Sequence, residues 1–235
     1  MNIALLLSGG SGLRLGAEIP KQYIEVGGRP IISYVIERLS RHEQIDALQI
    51  VAGRDWQELI RECLLPYDTK KKFRGFSSPG ENRQLSNYHG LEDIEAYADE
   101  QDCIIICDAA RPILPEEQIT DCLEAMAGHE GVLPVLPMKD TVYLSKDGKT
   151  VSDLLKREEV IAGQAPEFFR FGNYFKANQR LLPEKILQIN GSTEPAILAG
   201  MDIAVVAGEE ANFKITTRAD LERFQKMIQE DEDVG

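Results

Sequence analysis

Short apolar runs, each closed by turn-forming residues and followed by an amphipathic stretch, recur along this chain, and that alternation builds a sheet from βα units. The runs Asn2 to Ser8, Ala47 to Gly53, Cys103 to Asp108, Val132 to Pro137 and Ile203 to Ala207 read as strands, most of them apolar enough for burial on both faces. Phe73 to Phe76 is a weaker strand candidate. Between them the spacing predicts helices over Pro30 to Leu39, with proline in the first turn, and over Trp56 to Leu65, Arg83 to Ala98 and Glu116 to Ala127. A last helix over Arg218 to Gln229 puts Leu221, Phe224 and Ile228 on one face that should pack on the sheet, with Glu230 to Asp233 as a solvated tail. The expected fold is α/β, a Rossmann-like, doubly wound, mostly parallel sheet. No repeat, low-complexity stretch or proline-rich linker divides residues 1–235, which therefore read as one domain.

Met138 to Glu159 breaks the rhythm. Thr141 to Leu144 is extended, Lys146-Asp147-Gly148-Lys149 reads as a turn, and a second extended run follows near Thr150-Val151, so a protruding β-hairpin arm is expected at about 138–159. An exposed hairpin invites pairing, which favours a twofold partner over a monomer.

Charge narrows the functional classes. With 26 basic against 39 acidic residues the net charge is −13, whereas nucleic-acid and anionic-membrane binders need a basic footprint. Neither nucleic acid nor membrane is an expected partner, and any anionic ligand must be held by local cations. No apolar run approaches the roughly 18 residues of a membrane span, and Met1 to Leu7 lacks the basic flank of a signal peptide, so a cytoplasmic location is expected. Cys63, Cys103, Cys107 and Cys122 lack zinc-site spacing and read as buried reduced thiols.

Doubly wound sheets bind ligands at the carboxyl ends of their strands. Directly after the first strand comes Ser8-Gly9-Gly10-Ser11-Gly12-Leu13-Arg14, where backbone N–H groups can approach phosphate oxygens. The glycines fit neither a dinucleotide fingerprint nor a Walker A loop, and alone they are equally a plain strand-to-helix turn. Arg14 and Lys21 tip the reading towards a triphosphate clamp, because long cations on a glycine loop are hard to explain as solubilising charges in so acidic a chain.

These residues, with Pro20-Lys21-Gln22, resemble the signature of the nucleotidyltransferases, most closely the cytidylyltransferases acting on methylerythritol phosphate and ribitol phosphate. Gly80-Glu81-Asn82-Arg83-Gln84-Leu85-Ser86, Asp108-Ala109-Ala110-Arg111-Pro112, Lys139-Asp140-Thr141 with Arg157, and Asn212 to Thr217 resemble further motifs of that family, in order, from residue 3 to about 225. The resemblance implies a nucleotide-diphospho-sugar transferase type of fold and the joining of CTP to a small polyol phosphate, releasing pyrophosphate. It implies that Arg14, Lys21 and Lys214 act on the transferred phosphate. Ser8, Gly9, Gly10, Gly12, Gly80, Arg83 and Ser86 would hold the nucleotide, and Asp108, Arg111, Thr141 and Arg157 the acceptor. Asp108 would also meet Mg²⁺, and the arm would be exchanged within a homodimer. The residues alone leave other readings open: Asp108 as a helix cap, Arg83 facing solvent, and Lys214 pointing outward from an edge strand. No protein nucleophile or general base is needed, since a phosphate monoester is largely deprotonated at neutral pH, and His42, His89 and His129 receive no catalytic role.

The departures gather on the acceptor side. The family's Gln-Thr-Pro-Gln is here Gln164-Ala165-Pro166-Glu167, and its Thr-Asp stretch falls on Asn190-Gly191, with Ser192-Thr193-Glu194 just beyond. Cys107 stands where the family has histidine, a change expected to affect packing. Unchanged chemistry on a changed alcohol phosphate is the expectation, with a sugar-1-phosphate nucleotidyltransferase using another NTP, or a CTP binder without turnover, as alternatives.

Overall fold

The computed structural model describes residues 1–10 and 19–234. Its strands, in chain order, are β1 (Asn2–Leu7), β2 (Glu25–Val26), β3 (Arg29–Pro30), β4 (Ala47–Val51), β5 (Phe73–Ser77), β6 (Cys103–Asp108), β7 (Gly131–Pro137), β8 (Val142–Leu144), β9 (Asp153–Leu155), β10 (Ile161–Gly163), β11 (Glu167–Arg170) and β12 (Ile203–Ala207). The helices are α1 (Ile31–Arg41), α2 (Gln57–Leu64), α3 (Arg83–Glu95), α4 (Glu116–Ala125), α5 (Phe171–Gln179), α6 (Thr193–Leu198) and α7 (Arg218–Val234).

An eight-stranded mixed sheet organises them. β1 lies at its centre, parallel to β4 on one side and to β6 on the other, and β5 extends the sheet beyond β4. β11 enters antiparallel between β6 and β7, β10 continues along the same edge of β7, and β12 runs parallel to the other edge. Alternation along β1 explains the double winding: Ala4 and Leu6 meet the apolar faces of α1, α2 and α4, while Ile3 and Leu5 meet those of α3 and α5. Gly90 in α3 marks the closest approach, since a Cβ there would fall 2.5 Å from Leu5 Cδ1. Leu5→Ala would cost about 2–5 kcal/mol by the usual cavity penalty.

Several expectations need correction. The face of α7 packs not on the main sheet but into a separate small core, where Phe224 is buried with Val26, Ile31, Tyr34 and Ile215. The acidic residues after Gln229 continue that helix to Val234 instead of leaving it as a tail. The arm is an antiparallel pair of β8 and β9, but its second strand lies at Asp153–Leu155, beyond Thr150-Val151. Thr150 belongs to the turn, where its N–H and that of Lys149 donate to Asp147 Oδ1 at 2.8 and 2.9 Å. All four cysteines are free and buried, and burial pushes the Cys103 and Cys122 thiols up to about 12.

Candidate active site

Parallel pairing of β1 and β6 sets Leu7 opposite Asp108, so the Ser8–Gly10 turn and the Asp108 carboxylate emerge side by side at the carboxyl ends of the two central strands. A cleft of about 660 Å³ opens there, large enough for a nucleotide, and Gly9, Gly10, Lys21, Asp108 and Lys214 line it. From the facing loop come Gly80, Arg83 and Ser86. Gly9 lies against that loop, since a Cβ on it would meet Pro79 Cβ at 2.6 Å.

Each wall is held from behind. Gln22 donates through Nε2 to the carbonyls of Ser8 (2.7 Å) and Gly10 (2.8 Å), pinning the glycine turn. The Ser8 hydroxyl faces away from the cleft and lies 2.6 Å from the Tyr23 hydroxyl, whose ring stacks on Trp56. Ser86 Oγ accepts from Gly80 N at 2.9 Å and donates to the Asn82 carbonyl, while the Asn82 side chain caps α3 by accepting from Leu85 N. Lys21 Nζ donates to the Ile215 carbonyl at 2.5 Å, tying the first cationic segment to the last motif.

At the floor lies an ion cluster. Arg83 donates through Nη2 and Nε to Asp108 Oδ1 (3.0 and 3.3 Å), Lys214 Nζ to Oδ2 (2.9 Å), and Arg111 Nε stands 3.6 Å from Oδ2. Burial by itself would raise the Asp108 carboxyl, but Arg83, Lys214 and Arg111 more than reverse this and hold it well below the usual carboxylate range. Behind Arg83 sits Glu167, 3.8 Å from the guanidinium, with its Oε2 accepting from Thr193 Oγ1 at 3.0 Å. Burial pushes this carboxyl up. Arg83 also donates to the Ser192 hydroxyl.

The alternative readings of these residues fall away. Arg83 does not face solvent, and Asp108 caps no helix: the next begins at Glu116, behind Pro115. Lys214 lies outside any strand, in a segment pinned by the bond from Ile215 N to the Ala110 carbonyl and by Arg111 Nη1 donating to the Asn212 carbonyl. Thr141 and Arg157 are exposed on the arm, where Arg157 Nη1 donates to the Lys139 carbonyl, and the cleft of the same chain is lined without them. Gly12 and Arg14 lie outside the described residues. Glu167, Ser192 and Thr193 were marked in the sequence only as departures from a pattern; a charge opening the otherwise apolar Glu167-Phe168-Phe169 was the signal that it has a partner.

For a divalent cation the donor set fits one arrangement. Among the described residues no group of three or more His, Cys, Asp or Glu side chains encloses a metal site. Asp108 suits a hard ion such as Mg²⁺ that draws most of its oxygens from substrate phosphates and water. No helix among the described residues is long and apolar enough to cross a membrane.

The family model described as "IspD: 2-C-methyl-D-erythritol 4-phosphate cytidylyltransferase" matches residues 2–230. A bifunctional enzyme IspD/IspF from Granulibacter bethesdensis is 37% identical over 96% of this chain, which spans 56% of that relative's length. The ribitol-5-phosphate cytidylyltransferase of Vibrio parahaemolyticus is 29% identical over 100% of this chain and 98% of its own. Among solved structures, 4-diphosphocytidyl-2C-methyl-D-erythritol synthase from Anaerococcus prevotii superposes with a TM-score of 0.82 at 27% identity, covering 97% of this chain and 96% of that one. With the matched model running almost from end to end, the chain belongs to the IspD (2-C-methyl-D-erythritol 4-phosphate cytidylyltransferase) family.

Proposed function

We propose that the chain is a CTP-dependent cytidylyltransferase that joins CTP to a small polyol phosphate, of the 2-C-methyl-D-erythritol 4-phosphate or ribitol 5-phosphate type, giving a CDP-alcohol and pyrophosphate. The observation that carries this reading is the convergence of Lys21, Lys214 and Arg83 on one cleft around Asp108, in a chain of net charge −13. An acceptor phosphate oxygen attacks the α-phosphorus in line, the new P–O bond forms as the bond to the β-phosphate oxygen breaks, and the electron pair leaves with pyrophosphate. No proton has to be removed from the nucleophile, and among the described residues no histidine lines the cleft.

Lys21 and Lys214 supply positive charge where it develops on the transferred phosphate, as Arg14 does by the family resemblance. The Gly9-Gly10 turn and the Gly80 to Ser86 loop hold the nucleotide from opposite walls. Asp108 and Arg111 face the acceptor. Asp108 and the substrate phosphates would hold Mg²⁺, which would neutralise phosphate charge, and the half-buried Lys214, now on Asp108 Oδ2, would donate to a phosphate oxygen. The arm carries Thr141 and Arg157 to the cleft of a second copy, which is why both stand clear of their own, and the active form is a homodimer.

Pyrophosphate exchange with CTP, UTP, ATP and GTP in turn tests the nucleotide assignment. Exchange with CTP alone is expected; robust exchange with UTP in its place would overturn it in favour of a sugar-1-phosphate nucleotidyltransferase.

A further inference from the structure

Glu167 is a carboxylate where none is required for packing. It opens β11 on the central sheet, is 9% exposed, and stands one layer behind the cleft with Arg83 between. A glutamine of the same shape would fill the space and keep the contact with Thr193, whereas burying a charge is costly unless it serves an electrostatic purpose. Its surroundings show what it balances. Arg83, Arg111 and Lys214 gather on Asp108, and Glu167 is the second anion of the same cluster, so three cations face two carboxylates and a single net positive charge remains. Thr193 Oγ1 donates to Oε2 and Arg83 stands at Oε1, so the carboxylate is held on both oxygens.

We propose that Glu167 is a positioning residue that sets acceptor selectivity by charge: acting across Arg83, it restricts acceptors to phosphomonoesters whose remaining groups are neutral. Without it the cluster gains a net positive charge that a second anionic group on the acceptor can use. This rests on the cytidylyltransferase reading, and the test separates the two.

Wild type and Glu167→Gln, with Glu167→Leu as a second neutral variant, are compared with CTP, Mg²⁺ and either ribitol 5-phosphate or ribonate 5-phosphate, acceptors that differ by a terminal carboxylate. Removing one unit charge at this range should lower the kcat/KM preference for the neutral acceptor by at least about tenfold. A merely structural role would lower both acceptors together. Inorganic phosphate binding, followed by calorimetry, should tighten at least about threefold in the neutral variants. An unchanged acceptor preference together with unchanged phosphate affinity overturns the proposal. Absence of turnover in every form would remove the cytidylyltransferase reading instead, and the phosphate titration would still decide whether Glu167 restrains anion binding.

Discussion

At the carboxyl end of β6, Asp108 meets Arg83, Lys214 and Arg111, side chains brought in by a helix start and by two loops more than a hundred residues apart in sequence. In the arm, Tyr143, Leu144, Val151 and Leu154 are exposed at 57, 41, 68 and 61%, and among the described residues the two short strands pair only with each other. The cluster on Asp108 is fixed within one chain, because Arg83, Lys214 and Arg111 come to it from different elements and desolvation makes each pairing matter. The arm's charged tie to another element, Lys139 to Glu210, is instead exposed on both sides. A two-stranded ribbon is marginal in water and leaves apolar surface uncovered, the surface that the proposed dimer would cover. The charged cluster is thus held within the chain, whereas the arm is the part that the proposed dimer would complete.

Substitutions at the two regions should separate accordingly. The largest effect is expected for Asp108→Asn, which removes the carboxylate proposed to hold Mg²⁺ and leaves the three cations gathered on it without their shared counter-charge. Steady-state kinetics should show kcat/KM down about a thousandfold, ~4 kcal/mol, and a loss below tenfold would break the claim that the cleft does the chemistry. Lys21→Ala comes next: kcat should drop at least about a hundredfold, ~2.7 kcal/mol, and near wild-type turnover would refute its role.

On the arm, Leu154→Asp should convert a dimer to a monomer in sedimentation and lower turnover about tenfold, leaving CTP affinity unchanged. A wild-type chain that sediments as a monomer yet turns over normally would erase the contrast between the regions. The smallest effect concerns stability alone. Asp220 accepts from the N–H groups of Thr216 and Thr217 and from both hydroxyls, and although burial opposes it these bonds hold the carboxyl down at about 2. Its folded pKa lies below that of a free aspartate, so the stabilisation is present above the free value and is lost as pH falls through about 2. Asp220 is largely solvated, and after screening Asp220→Asn should cost about 1 kcal/mol in urea unfolding at neutral pH, with no change in kcat.

Periodicity made most of the sheet legible, because β1, β4 and β6 are largely buried on both faces and apolar but for Asn2, Gln49 and Asp108. It failed at β11, where Glu167 to Arg170 is too short and too charged at its ends to stand out, although tertiary context buries it in the middle of the sheet. Lys214 looked like an edge-strand residue because alternation in Asn212 to Ile215 is satisfied equally by an extended loop. The cluster on Asp108 was only half visible: resemblance to the family's motifs singled out Arg83, Arg111 and Lys214, while Glu167, Ser192 and Thr193 join it through folding that local sequence does not encode.

Pyrophosphate release from CTP and Mg²⁺ with a panel of methylerythritol, ribitol, other pentitol, erythritol and glycerol phosphates tests the central claim most directly. One strong acceptor in the panel is the predicted result, and silence across it, with CTP still tightly bound, would contradict the account and leave a CTP-binding protein without transfer.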